Sequence, residues 1–151
     1  MHLTSSEINQ RAAVVKEALA WDGTPYRHQA DIKGVGCDCG MLLVRVFVDM
    51  QLVPPFDPRP YADDWYLHRK EEKYLGFVLD RTAQVEVPLF GDVVVFKHGR
   101  TYSHGGIVLS WPFVVHASAP ARKVLVENIE QSPYAGKARQ YYSYWRREVR
   151  G

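Results

Sequence analysis

The sequence has only two cysteines, Cys37 and Cys39, one residue apart. A bridge between them would close almost no loop and would strain the backbone, so no disulfide framework holds this chain together. It also lacks a long uninterrupted apolar run. The longest, Met41 to Met50, is broken by Arg45 and Asp49 and falls well short of a membrane span. The N-terminus, Met1-His2-Leu3-Thr4-Ser5-Ser6-Glu7, has no basic segment followed by an apolar stretch, so no signal peptide is read there. The expectation is a protein made and kept in the cytoplasm, or exported by a route the sequence does not encode. The net charge of +2 is too small to argue for nucleic acid. Lys137, Arg139, Arg146, Arg147 and Arg150 read as a solvated basic edge, with attraction for an anionic polymer as the other reading. There is no internal repeat and no low-complexity segment. What remains is 151 residues, 46% hydrophobic and 24% charged, enough for a single domain, 1–151, with a buried core.

Thr4 and Glu7 have the spacing of a capping box, and Ile8, Ala12, Val15 and Leu19 follow at helical intervals. Residues 5–20 therefore read as an amphipathic helix ended by Trp21-Asp22-Gly23-Thr24-Pro25. A second helix, about 39–50, is apolar nearly all round and belongs in the core. Pro54, Pro55, Pro58 and Pro60 then impose a stiff, extended crossing. A third helix is expected over 62–75, with Trp65, Tyr66, Tyr74 and Leu75 on its apolar side. After residue 76 the pattern changes to strands: Val93–Phe96, Ser103–Ser110, Phe113–Ala117, Lys123–Asn128 and Tyr141–Trp145. Helices first and strands second is an α+β arrangement with a mostly antiparallel sheet.

Two features carry chemistry. The turn Gly34-Val35-Gly36-Cys37-Asp38-Cys39-Gly40 delivers a cysteine to the start of the apolar helix. A helix start has outward N–H groups and partial positive charge, and both favour thiolate over thiol. Asp38 is a good N-cap type, which places Cys39 at the first helical position and leaves Cys37 in the turn. The plain alternative is a buried, inert thiol. The second feature is His104 and His116, each in a strand, the two strands consecutive. A hairpin with an odd-numbered loop centred on Ser110 would set the imidazoles directly opposite on one face, about 5 Å apart at Cβ. A two-residue turn would put them on different faces. A helix-start cysteine, a strand histidine and a third polar group that orients the histidine form the logic of a thiol hydrolase. Gly105 and Gly106 would leave room for substrate beside His104, or mark a bulge.

Asp38-Cys39-Gly40-Met41-Leu42 and Ser103-His104-Gly105-Gly106-Ile107 resemble the two signature blocks of the NlpC family of papain-like cell-wall peptidases. Val115-His116-Ala117 resembles the family's third-residue strand, Gly23-Thr24-Pro25-Tyr26 its Gly-x-Pro-Tyr block, and Gly91-Asp92-Val93 its Gly-Asp-hydrophobic block. Tyr26-Arg27-His28-Gln29, Gly36-Cys37-Asp38-Cys39 and Trp65-x-x-His68-Arg69 are similar to the phage and prophage branch of tail-associated peptidases. Met41 departs from the pattern, being bulky where a small residue is usual.

The resemblance implies a papain-like fold, with the nucleophile helix packed on the sheet. It implies hydrolysis of peptidoglycan stem peptides between D-γ-glutamate and a diamino acid. Cys39 would be the nucleophile, His104 the base and then acid, and His116 its orienter. The Cys39 backbone N–H and Tyr26 would stabilise the oxyanion, and Gly105 would line the substrate. It implies no metal, no cofactor, no nucleic acid and no membrane span. Phage tail proteins would be partners, and the virion tail a destination.

Three other readings stay open on the residues alone. One is a metal site built from Cys37, Cys39, His104 and His116, although Cys-x-Cys followed by distant histidines is not a usual zinc spacing. Another is a non-catalytic tail-assembly component on the same scaffold. The third is an acyltransferase or amidase with the same triad. His28 and His68 read as structural, and His2 and His98 as surface residues.

Overall fold

The computed structural model describes residues 3–57, 59, 76 and 80–145. The elements run α1 (Ser5–Leu19), β1 (Asp31–Ile32), β2 (Gly36–Cys37), α2 (Cys39–Asp49), β3 (Ala83–Val85), β4 (Val93–His98), β5 (Thr101–Ser110), β6 (Phe113–Ser118), β7 (Lys123–Asn128) and β8 (Arg139–Ser143). The expected helix over 62–75, with Trp65 and His68, lies outside the described residues. So does part of the proline crossing; residues 54–57 form no regular element.

β3 to β8 form one six-stranded sheet in the order β3-β8-β4-β5-β6-β7, every pair antiparallel. Both helices cover one face, burying Val93, Val95, Ile107, Val115, Ala117 and Val124 against Val14, Ala18 and most of α2. The other face carries Val94, Phe96, Val108 and Val114 under Ile129 and Tyr134. The fold is the papain-like α+β type anticipated above. Among the described residues no helix is long and apolar enough to cross a membrane.

Thr4 caps α1 by accepting from the Glu7 N–H at 3.1 Å. The Glu7 carboxylate accepts from Arg11 Nε at 2.8 Å. The buried stripe of α1 is Arg11, Val14 and Ala18, whereas Ile8, Ala12 and Leu19 are exposed and Val15 is half-buried. The expected apolar face is therefore rotated, and the reason is Arg11. Its guanidinium is wholly buried, donates to Asp92 Oδ1 and the Phe90 carbonyl at 2.8 Å each, and reaches Ser143 Oγ at 3.1 Å. It also lies over the Trp145 ring at 4.5 Å. A buried cation survives only when fully partnered, and Arg11 is. The pair locks α1 to the turn before β4 and to the end of β8.

The β5–β6 hairpin differs from the expected one. Ile107 faces Val115 and Val108 faces Val114, but Ser110 faces Phe113, so the turn is the two residues Trp111-Pro112 with a register shift between Val108 and Ser110. The shift adds back the residue that the short turn removes. Parity is restored, and His104 and His116 share a face after all. They are diagonal neighbours rather than opposite ones. In the Ile107–Val115 register it is Gly106 that lies across from His116, and a Cβ on Gly106 would come within 3.0 Å of the His116 Cβ. The last strand, expected at Tyr141–Trp145, is observed two residues earlier, at Arg139–Ser143.

Candidate active site

Asp38 builds the cysteine end. As the N-cap of α2 its Oδ1 accepts from the Met41 N–H at 2.9 Å, which places Cys39 first in the helix. Its Oδ2 accepts from the Gln29 N–H at 2.6 Å and lies 3.8 Å from His28 Nδ1, tying the 28–30 loop beside the helix start. Both cysteines are free. They differ in setting. Cys37 sits within β2, and burial, followed by the nearby Asp38 and Asp31 charges, pushes its thiol up to about 12. A thiol held there is not nucleophilic near neutrality. Cys39 stands where the helix N–H groups point. Met41, the departure noted in the sequence, is buried in the core.

Tyr26 is delivered by the backbone. Cys37 N–H donates to the Pro25 carbonyl and Arg27 N–H to the Cys37 carbonyl, while Tyr26 N–H donates to the Arg122 carbonyl at 2.9 Å. Burial, then the Cys39, Asp38 and Tyr134 groups, push the Tyr26 phenol far above its ordinary value. It stays a protonated donor next to Cys39.

On the sheet, His104 Nε2 and His116 Nδ1 are 2.7 Å apart, with the rings edge-on at 5.0 Å between centroids. His116 Nε2 lies 2.8 Å from Glu127 Oε1. Burial, then the neighbouring His116, holds His104 well below the ordinary imidazole value. Burial lowers His116 too, partly offset by Glu127. Both rings are therefore neutral at neutral pH. His104 Nε2 is committed to His116, so Nδ1 is the nitrogen left for proton transfer.

Sequence reasoning missed Tyr134. Its ring stacks on His104 at 4.6 Å and 14°, and touches His116 edge-on at 5.3 Å. Its phenol is pushed up to about 12 by burial and then by Cys39. Tyr134 thus borders both the cysteine end, which it shares with Tyr26, and the histidine pair. It lies in an irregular stretch after Ile129–Gln131, where no periodicity marks it. Gly105 has a different role from the expected opening for substrate. A Cβ there would lie 2.6 Å from Leu43 Cδ1, so its smallness lets α2 approach β5. Gly106 makes room for Val114 and His116 in the same way.

Cys37, Cys39 and the two histidines do not converge as a metal site. Among the described residues no group of three or more His, Cys, Asp or Glu side chains is placed to hold an ion. A recess between Leu52, Pro54, Pro55 and Arg81 lies at the other end of α2, away from Cys39.

A helix-start thiol near two protonated phenols, one of them stacked on a buried imidazole pair, makes up the candidate site. The NlpC/P60 family profile matches residues 23–143, and the chain belongs to that family. Its fold is similar to the NlpC/p60 domain of the peptidoglycan hydrolase SagA, at 22% identity and a TM-score of 0.59, covering 86% of this chain and 96% of that one. It is similar to the peptidoglycan hydrolase RipB of Mycobacterium tuberculosis, at 20% identity and a TM-score of 0.62, covering 94% and 68%. It is also similar to NlpC1 of Trichomonas vaginalis, at 13% identity and a TM-score of 0.64, covering 89% of this chain but only 45% of that one. No protein of curated function matches the chain.

Proposed function

We propose that the protein is a cysteine peptidase that hydrolyses amide bonds in peptidoglycan stem peptides, at the bond between D-γ-glutamate and a diamino acid. The observation that carries the reading is the buried His104–His116 hydrogen bond, which leaves His104 Nδ1 as a neutral base in a site that also holds a helix-start cysteine. In this mechanism Nδ1 takes the Cys39 thiol proton and the thiolate attacks the amide carbon. The oxyanion is held by the Cys39 N–H and the Tyr26 phenol; losing one such donor costs about 3 kcal/mol of barrier. His104 then protonates the leaving amine. Water, with His104 as base, hydrolyses the thioester. His116 holds the ring orientation throughout.

Membership of the family and fold similarity to two peptidoglycan hydrolases support this substrate class. The blocks around Tyr26, Cys37 and Trp65 support delivery to the wall as part of a phage tail. The test is incubation of the purified protein with defined stem tetrapeptides and mass spectrometry of the products. The expected product is the L-Ala-D-γ-Glu dipeptide, formed by wild type and not by Cys39→Ala. Transfer of the acyl group to an added amine in place of hydrolysis, or no turnover by wild type, would overturn the reading.

A further inference from the structure

We propose that Glu127 is a positioning residue that extends the His104–His116 pair into a three-strand hydrogen-bond chain and fixes the tautomer of both rings. The proposal rests on the peptidase reading for its purpose, but not for its geometry.

The chain is made of two diagonal steps. His104 on β5 reaches His116 on β6 by the offset described above. In the β6–β7 ladder His116 faces Leu125 and Val114 faces Glu127, so Glu127 is again a diagonal neighbour on the same face. Alternation along β7 puts Val124 under the helices and leaves Leu125 and Glu127 on the histidine side. The two contacts are 2.7 and 2.8 Å. The chain thus runs from buried His104 to a carboxylate whose side chain is 24% exposed at the sheet edge.

An ionised carboxylate only accepts. The hydrogen between His116 and Glu127 must therefore sit on His116 Nε2. A neutral His116 then has a bare Nδ1, which can only accept. His104 Nε2 must accordingly carry the hydrogen it shares with His116, and a neutral His104 has its lone pair on Nδ1. One carboxylate two residues away thus decides which nitrogen of His104 is the base. Without it, His116 could donate from Nδ1, and His104 would meet it with Nε2 bare and Nδ1 protonated, the wrong form for taking a thiol proton. When His104 becomes an imidazolium, the same acceptor keeps the negative end of the His116 dipole towards it. The charged and titratable groups around the pair are Glu127 on β7, Tyr134 over the rings, and His98 and Lys137, which act on His104 from the end of β4 and the loop before β8. Of these, Glu127 is the anion bonded to the chain.

The experiment is nitrogen NMR of the 15N-histidine-labelled full chain at pH 7.5, with Glu127→Ala and Glu127→Gln beside wild type. Wild type is expected to show His104 and His116 each as a single Nε2–H tautomer. Glu127→Ala is expected to show mixed tautomers at His116, with kcat about tenfold lower and KM unchanged, the scale of one hydrogen bond to a charged group. Glu127→Gln, whose Oε1 accepts the same bond, is expected to recover the single tautomer and most of kcat. Unchanged tautomers in Glu127→Ala would overturn the proposal, whether or not the protein cleaves stem peptides. So would a kcat loss that Glu127→Gln does not relieve. The expected tautomers in a wild type that cleaves nothing would uphold the chain and sink the peptidase reading instead.

Discussion

Two buried polar networks among the described residues are built to opposite ends. Arg11 is ringed by Glu7, Asp92, the Phe90 carbonyl and Ser143. Its charge is permanent and its partners are fixed, so the network can only hold elements together. His104 is buried less completely and makes one side-chain hydrogen bond, to His116, which leans on Glu127. Its rings are neutral, and one nitrogen is kept back. A saturated network is structure. A network with one unused valence is available for chemistry. Arg11 joins elements 81 and 132 positions apart, whereas the histidine chain links three consecutive strands in steps of 12 and 11 positions. Burial alone does not distinguish the two networks; charge state and the spare nitrogen do.

The comparison predicts that damage to one network spares the property that the other controls. The largest effect is on activity: Cys39→Ala or His104→Ala should lower stem-peptide cleavage at least about 10⁴-fold, as for groups that act as a unit. Thermal melts of Cys39→Ala should stay near wild type. Arg11→Ala should do the reverse. It removes the buried cation that faces Asp92 at 2.8 Å, at a cost of about 3–5 kcal/mol in denaturant unfolding. Protein that remains folded should keep its kcat. A collapse of kcat in folded Arg11→Ala would mean that the two networks are coupled.

Gly106→Ala is a finer probe. The added methyl would meet Val114 Cγ1 at 2.5 Å and the His116 Cβ at 3.0 Å, pressing on the histidine step without changing a polar atom. The expectation is about 1–3 kcal/mol of destabilisation from overpacking, with a kcat loss larger than that of a size-matched change on the helix face. The mildest effect is with pH. Both rings titrate below the ordinary imidazole value of about 6.5, so His104 stays a competent base under mildly acid conditions. The acid limb of kcat/KM should therefore lie below about pH 6.5. The unfolded chain takes up these protons first. Their contribution to stability is thus fully present above about pH 6.5 and is lost as pH falls towards the lower folded-state values. Melts at pH 7.5 and pH 5 should show the drop, and His116→Asn should reduce it.

Much of this was legible in the sequence because the signals are local. Asp38 before an apolar run gives the cap, the helix and the position of Cys39 within four residues. The β-branched runs at Val93, Ile107, Val114 and Val124 give four strands. The shared face of His104 and His116 was read correctly for a reason that needed correction: two changes of register cancel, and a bulge next to a two-residue turn leaves no mark in a pattern of period two. The burial of Arg11 has no local signal, because three of its four hydrogen-bond partners lie 79 or more positions downstream. Tyr134 was missed since it belongs to no periodic segment, and Glu127 since a half-exposed acid at a strand edge looks like any solvated one.

The measurement closest to the central claim is the rate of thiol alkylation against pH, mapped to each cysteine, in wild type and His104→Ala. The account predicts that Cys39 reacts and Cys37 does not. It predicts that Cys39 keeps reacting well below the free-thiol value of about 8.5, and that this low-pH reactivity disappears without His104. A reactive Cys37 beside an inert Cys39, or a Cys39 that titrates like an ordinary thiol in both proteins, would contradict it.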